Sequence, residues 1–276
     1  MKTASAGISS ANPSHTLIDY DMTISDWPVP DSLAAPSVPA SIDDAIQIAI
    51  ETTGHSGSIA VLEGEYVHQA HQLPDGQRTA ASLAPALSQQ LAWCAKREKL
   101  PHFVSIASGP GSFTGLRIGI TTAKTFCYAR QLPLVAVDSL QAIAANLFQQ
   151  NQSIEDLIVG INAFRKQTFA GHFTRSGTLP VLSDLAHQEG HGIVQVYDAS
   201  EWADVQRDAG AEVRFGGEAK VFDEAYQTRF VDRETPDAIG VGLSAIRLAK
   251  RGEFCDPMAL KPRYLKESSA EERLKS

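Results

Sequence analysis

The run Ser108-Gly109-Pro110-Gly111-Ser112-Phe113-Thr114-Gly115-Leu116-Arg117-Ile118-Gly119 decides the fold, because within it an apolar strand ends, the backbone turns and a helix begins. The segment before it, Phe103-Val104-Ser105-Ile106-Ala107, is apolar and rich in β-branched residues, which reads as a buried or half-buried strand. Gly109, Pro110 and Gly111 then set a fixed turn: glycine admits left-handed backbone and close approach, and proline holds one dihedral. Ser112 and Thr114 are candidate N-caps for a helix that runs to about Arg130.

A glycine-rich strand-to-helix turn presents unpaired N–H groups at the positive end of a helix, the geometry that accepts phosphate. Neither familiar fingerprint is present. A P-loop needs Lys after its second glycine and here Leu116 follows Gly115, while a dinucleotide loop needs Gly where Thr114 stands. The residues leave two readings open, a tight structural turn or an anion or nucleotide contact through Gly109, Gly111, Ser112, Thr114 and Arg117. Gly115 and Gly119 lie four apart, with Ala123 continuing the row, so one face of the helix is nearly bare. A glycine inside a helix costs about 1 kcal/mol against alanine, and a close contact on that face, within the chain or with a partner, is the compensation.

The rest of the chain extends the pattern on both sides. Ala45–Ile50 and Ser58–Leu62 read as a hairpin around Glu51-Thr52-Thr53-Gly54-His55-Ser56-Gly57, with a third strand to Gln72. Residues 78–99 have helical period, with Leu83, Leu87, Leu91 and Cys94 on one stripe; Pro85 belongs in a first turn, which puts the regular helix nearer Leu83. Leu134–Val137 is a strand, followed by a helix from Asp138 or Ser139 to Gln149. Strands over residues 156–162 and 168–173 around a turn at Arg165-Lys166, strands over 193–196 and 213–217, a helix from Ser200 to Ala209 with Ser200 as N-cap and a last helix opened by Pro236 then follow. Strand, turn, strand and then helices in both halves is the order of a duplicated α/β fold. Residues 1–40, rich in Ser, Pro, Ala and Asp without period, read as a disordered extension.

Composition excludes several classes. With 43% hydrophobic and 20% charged residues the chain has the make-up of a soluble globular protein. A net charge of −8 argues against nucleic-acid binding as its main task, since that footprint is a basic patch. Three widely spaced cysteines fit reduced thiols in a cytoplasmic protein, and there is neither a secretory signal nor an apolar run long enough to span a membrane. Of the two histidine pairs, His187 with His191 reads as a surface loop and His68 with His71 has opposite parity in a strand, pointing to different faces, so no metal site is assigned. No GxSxG, HExxH or P-loop is present, so no catalytic residue is assigned.

The eleven residues Gly109–Gly119, with Thr122-Ala123-Lys124 and then Leu134-Val135-Ala136-Val137-Asp138-Ser139-Leu140, strongly resemble the signature of the TsaB (YeaZ) family. The closing Leu260-Lys261-Pro262-Arg263-Tyr264-Leu265-Lys266 is similar to that family's Pro-x-Tyr-Leu-Arg ending. The resemblance covers residues 44–272, most densely 103–140. It implies an α/β, actin-like duplicated fold of the sugar-kinase and Hsp70 kind, with one lobe over 44–138 and a second over 139–276. It also implies a non-catalytic subunit that supports a TsaD-type transferase in forming N6-threonylcarbamoyladenosine at position 37 of tRNAs, in a complex that includes a TsaE-type ATPase. The partners implied are TsaD, a second copy when TsaD is absent, and tRNA only through the complex. No cofactor of its own is implied, and ATP or ADP would be shared at the partner interface. That interface would use Leu83, Leu87, Leu91, Gly115, Leu116, Gly119 and Ala123. The chain departs from the family at Glu51, where Asp is usual, and at Asn162-Ala163-Phe164-Arg165, where Asp-Ala-Arg is usual. The alternative reading is a stand-alone actin-fold kinase or ATPase, which would need carboxylates at those two places.

Overall fold

The computed structural model describes residues 41–74, 79–176, 179–182, 194–233 and 235–266. Its first sheet grows from a hairpin. β1 (Ile46–Glu51) is buried throughout, β2 (Ser58–Glu63) pairs antiparallel with it, and β3 (Tyr66–Gln72) pairs antiparallel with β2 at the sheet edge. β4 (Phe103–Gly109) lies parallel to β1 on its other side and β5 (Leu134–Asp138) parallel to β4, so the order is β3-β2-β1-β4-β5. Parallel neighbours need a crossover, and α2 (Phe113–Arg130) provides it between β4 and β5. α1 (Thr79–Ala95) precedes β4.

The second sheet repeats this plan. β6 (Asp156–Asn162) and β7 (Thr168–Ser176) form the hairpin, β8 (Leu179–Leu182) extends it on the β7 side, and β10 (Arg214–Gly217) and β11 (Phe230–Arg233) line up parallel on the β6 side. β9 (Gln195–Tyr197) also pairs with β7. The order β11-β10-β6-β7-β8 is that of the first sheet with each strand replaced by its counterpart. The duplication is thus carried by topology.

The remaining helices are α3 (Ser139–Gln150), α4 (Ala199–Asp208) and α5 (Ala238–Lys250). Leu140, Leu147 and Phe148 of α3 form one core with Leu157 and Phe173 of the second sheet. α5 goes the other way: Val241, Ala245 and Ile246 share a core with Ala49, Leu62 and Val135 of the first sheet. The first sheet's last strand ends at Asp138 and the second sheet's first begins at Asp156, and α5, which follows the second sheet in the chain, packs on the first. Its buried face mixes Ala, Gly and Val with Leu243, Ile246 and Leu248, and composition does not say which sheet such a face covers.

Three local expectations are corrected. α1 starts at Thr79, so Pro85 sits beyond its first turn; Pro85 and Ala81 are exposed, where water can bond the carbonyl that the missing N–H leaves free. Asp198, two residues before Ser200, caps α4, accepting from the N–H groups of Ser200 and Glu201 in a capping box with Glu201. Ser112 alone caps α2, and Thr114 lies within the helix. The expectations for residues 1–40, Ile193, His187 with His191, and the tail beyond Lys266 fall outside the described residues. Among the described residues no helix is long and apolar enough to cross a membrane.

Candidate functional site

The ends of β1, β4, β6 and β10 open on a cleft of about 810 Å³ between the two sheets, bordered by Gly54, Gly111, Phe113, Ile161, Phe169, Glu218, Arg263 and Tyr264. Its floor on the first-sheet side is the β1–β2 turn. Glu51, the last residue of β1, is fully buried, and its Oε1 accepts from the Thr53 N–H, from the Thr53 hydroxyl at 2.6 Å and from the Gly54 N–H at 3.0 Å. Oε2 has no partner. Burial is the largest influence on this carboxyl and pushes its pKa up to about 7, against the opposing hydrogen bonds from Thr53 and Gly54; Asp237 raises it further. The donors that a first turn of this kind would offer to a phosphate are thus turned inward onto the chain's own carboxylate.

The glycine loop packs on this turn. The Ser112 N–H donates to the Thr53 carbonyl at 2.9 Å, and the Ser112 Oγ accepts from the Gly115 N–H at 3.2 Å. The Thr52 hydroxyl donates to the Gly115 carbonyl at 2.8 Å. A Cβ on Gly115 would stand 1.8 Å from the Thr52 carbonyl oxygen, and one on Gly119 would stand 2.1 Å from the Thr52 hydroxyl. The bare face of α2 is therefore filled by the β1–β2 turn of the same chain.

The segment after α5 ties the far side of this assembly. The Arg263 N–H donates to the Ser108 carbonyl at 2.8 Å, so Gly109 (φ +121°) has no room for a side chain; a Cβ there would be 2.6 Å from the Arg263 carbonyl oxygen. The Arg263 guanidinium pairs with Asp138 at 2.5 Å and also donates to the Val194 carbonyl, joining the end of the first sheet to the second core. Asp138 caps α3 through the Leu140 and Gln141 N–H groups; burial pushes its carboxyl up to about 6, with Arg263 as the leading opposing influence. Tyr264 stacks on Phe113 with ring centres 4.6 Å apart, and its hydroxyl accepts from Arg117 Nε at 3.1 Å while the Arg117 guanidinium lies over Phe113.

On the second-sheet side the β6–β7 turn carries Asn162, whose Oδ1 accepts from the Phe164 N–H at 3.0 Å. The amide does here what an Asx turn does, and no carboxylate occupies this corner. Phe164, Arg165 and Lys166 are all left-handed, with φ +60°, +53° and +61°.

Comparison with known proteins places this geometry. The family model for TsaD, tRNA N6-adenosine threonylcarbamoyltransferase, matches residues 77–189. The chain is 28% identical over 131 residues to the tRNA threonylcarbamoyladenosine biosynthesis protein TsaB of Buchnera aphidicola, covering 48% of this chain and 58% of that one. It is 32% identical over 125 residues to the TsaB of Bacillus subtilis, covering 45% and 53%. It therefore spans a little over half the length of these curated relatives. In structure it is similar to YeaZ from Pseudomonas aeruginosa, with a TM-score of 0.62 at 21% identity over 80% of this chain and all of that one. These relatives carry the names TsaB and YeaZ, and the chain is similar to them over the parts matched. Its two matched sheets are the duplicated actin-like fold.

The residues singled out from sequence come together, and those expected at a partner interface are buried. Leu83, Leu87, Leu91, Leu116 and Ala123 are buried, as are Gly115 and Gly119, all spent inside the chain. The aliphatic stripe of α1 points inward for the reason most such stripes do, and the outward faces of α1 and α2 are made of other residues. Gly109, Gly111, Ser112 and Arg117 hold the turn and the closing segment together; Gly111 packs on Thr53, and Thr114 is exposed. His68 pairs with Glu63 at 2.7 Å while His71 is exposed, and no group of three or more His, Cys, Asp or Glu that could hold a metal occurs among the described residues. Glu51 as the chain's own anion was missed. The signal was one methylene: Glu reaches back to N–H groups that an Asp at the same place would reach differently.

Proposed function

We propose that the chain is the accessory subunit that supports a TsaD-type transferase in forming N6-threonylcarbamoyladenosine on tRNA. The observation that carries this reading is the seat occupied by Glu51. In a chain whose relatives are named for this biosynthesis, the first-turn donors that would serve a kinase are consumed by a buried carboxylate, and no carboxylate stands at Asn162. A chain with that cleft acts through its surface. The surface offered is the outward side of α1 and α2, where Ala80, Ala81, Ala84, Ala92 and Ala95 are exposed on one helix and Thr121, Thr125 and Tyr128 on the other. Small side chains let a partner helix approach closely. ATP or ADP, if it takes part, belongs at that partner surface and not in the cleft, and the TsaE-type ATPase joins the same complex.

The test is complementation. In a bacterium depleted of its own TsaB, expression of this chain restores N6-threonylcarbamoyladenosine in digested tRNA measured by mass spectrometry, and the chain co-elutes with a TsaD-type protein in size exclusion. Purified chain that shows saturable ATP binding and steady hydrolysis, with no restoration in cells, overturns the proposal in favour of a kinase.

A further inference from the structure

We infer that the β6–β7 turn, with Phe164 at its tip, is a contact for single-stranded RNA. Three consecutive non-glycine residues in left-handed backbone are unfavourable, and Gly, Asn or Asp are the residues that adopt that conformation at least cost. Here they are Phe164, Arg165 and Lys166. The turn is closed by the Gln167 N–H to the Phe164 carbonyl at 3.0 Å and the Ala163 N–H to the Gln167 carbonyl at 3.0 Å. The side chain of Asn162 adds one more bond, accepting from the Phe164 N–H at 3.0 Å; none of these contacts uses the side chain of Phe164, Arg165 or Lys166. Yet Phe164 is 72% exposed, the most exposed of the large apolar side chains described. An unburied phenyl ring beside two cations on a strained turn is kept for something outside the chain.

What it fits follows from its neighbours. Arg165, Lys166 and Lys266 line one open cleft of about 640 Å³ beside the turn, and Lys266 Nζ is held there at 3.2 Å from the Ala163 carbonyl. Lys166 and Lys266 have no ion pair among the described residues. Among the described residues that line this cleft Asp198 is the one carboxylate; the N–H groups that it caps at the start of α4 keep it ionised, so it offsets one of the three cations. A local excess of positive charge in a chain of net charge −8, set against an exposed ring, is the pairing that takes a phosphate backbone and a stacked base. An acidic protein surface would engage the cations and leave the ring idle. The choice of RNA also rests on the reading that the chain serves tRNA modification, and it adds a direct contact where the overall charge alone predicted none.

The test is fluorescence anisotropy of the purified full chain with a short fluorescein-labelled RNA hairpin bearing a single-stranded loop, from about 50 to about 200 mM salt. Saturable binding with Kd near 10–100 µM is expected at low salt. Phe164→Ala weakens it roughly tenfold without changing the salt slope, since stacking is not ionic. Lys166→Glu with Lys266→Glu lowers the log–log salt slope by about 1.4, two phosphate contacts at about 0.7 each. Because Lys266 also holds the turn, Lys166→Glu is measured alone as well, with half that change expected. No saturable binding, variants that bind like the original chain, or a phosphopeptide that displaces the RNA while ignoring Phe164→Ala, each overturns the inference. A chain that binds the hairpin in this way but fails complementation sinks the proposed function and leaves the RNA contact standing; a chain that complements but does not bind does the reverse.

Discussion

Gly119 of α2 sits so close to Thr52 of the β1–β2 turn that a methyl group on its Cα would stand 2.1 Å from the Thr52 hydroxyl oxygen. This contact joins the helix to the turn that forms the floor of the cleft, and it is made within one chain. Gly119→Ala should therefore destabilise the chain itself. Overpacking costs about 1–3 kcal/mol, offset in part by about 1 kcal/mol of helix propensity, which for a chain of this size lowers Tm by several degrees. Thr52→Ala removes the clashing hydroxyl, so the double variant should lose less than the two single losses summed. A thermal melt of Gly119→Ala that matches the original chain would show that the turn yields freely.

How much of this was legible follows from what each residue type can signal. The Ser112 cap, the strand into Gly109 and both hairpins were readable because period and punctuation are local properties. Which object a bare helix face meets is not local: Gly115 and Gly119 declare close approach but do not name Thr52. Nor does chain order reveal that α5 returns to the first sheet. The turn at Arg165 and Lys166 was readable, but its left-handed backbone was not, because none of Phe164, Arg165 and Lys166 is the glycine or asparagine that normally marks one. At the cleft, the departure at Glu51 was visible, but its meaning lay in a side chain folding back on its own turn.

The Glu51 carboxyl sets a pH dependence. Its pKa is about 7 in the folded chain against an ordinary value of 4.5, so the folded state binds the extra proton and stability is lost as pH rises from about 4.5 through about 7. At about 1.4 kcal/mol per unit, the loss is on the order of 2–3 kcal/mol. Asp138, raised to about 6, acts in the same direction, whereas His102, whose pKa burial lowers, acts in the opposite one. The readout is therefore a difference: urea unfolding at pH 5 to 8 should show a shallower decline for Glu51→Gln than for the original chain. Equal slopes would mean that the carboxyl is ionised throughout.

Breaking the tie between Arg263 and Asp138 should loosen the joint between the sheets. Both side chains are largely buried, and Arg263→Met leaves the Asp138 carboxylate without its cation, a loss of about 1–3 kcal/mol after allowance for the water that reaches the guanidinium. Asp138→Asn in the same chain removes the stranded charge while keeping an oxygen to cap α3, so the double variant should recover part of the loss. Calorimetric melts of the original chain, the two single variants and the double variant measure this. A double variant as unstable as the sum of the singles would show that the two residues act independently.

The partner surface is tested on the outward side of α1, since the inward side is already spent. Ala84 and Ala92 are exposed and eight residues apart, slightly over two helical turns, so they share one face. Ala84→Arg or Ala92→Arg places a long cation where a partner helix would need a small residue, while the free chain loses nothing that its own core uses. The expected result is binding to a TsaD-type protein weakened about tenfold to a hundredfold by calorimetry, with an unchanged melt. Gly119→Ala gives the opposite signature, a lowered melt with affinity little changed once the folded fraction is held equal. The two variants together separate a surface that recognises from a surface that merely packs. If both arginine variants bind the transferase as tightly as the original chain does, docking does not use this face of α1, and the partner must lie against α2 or elsewhere.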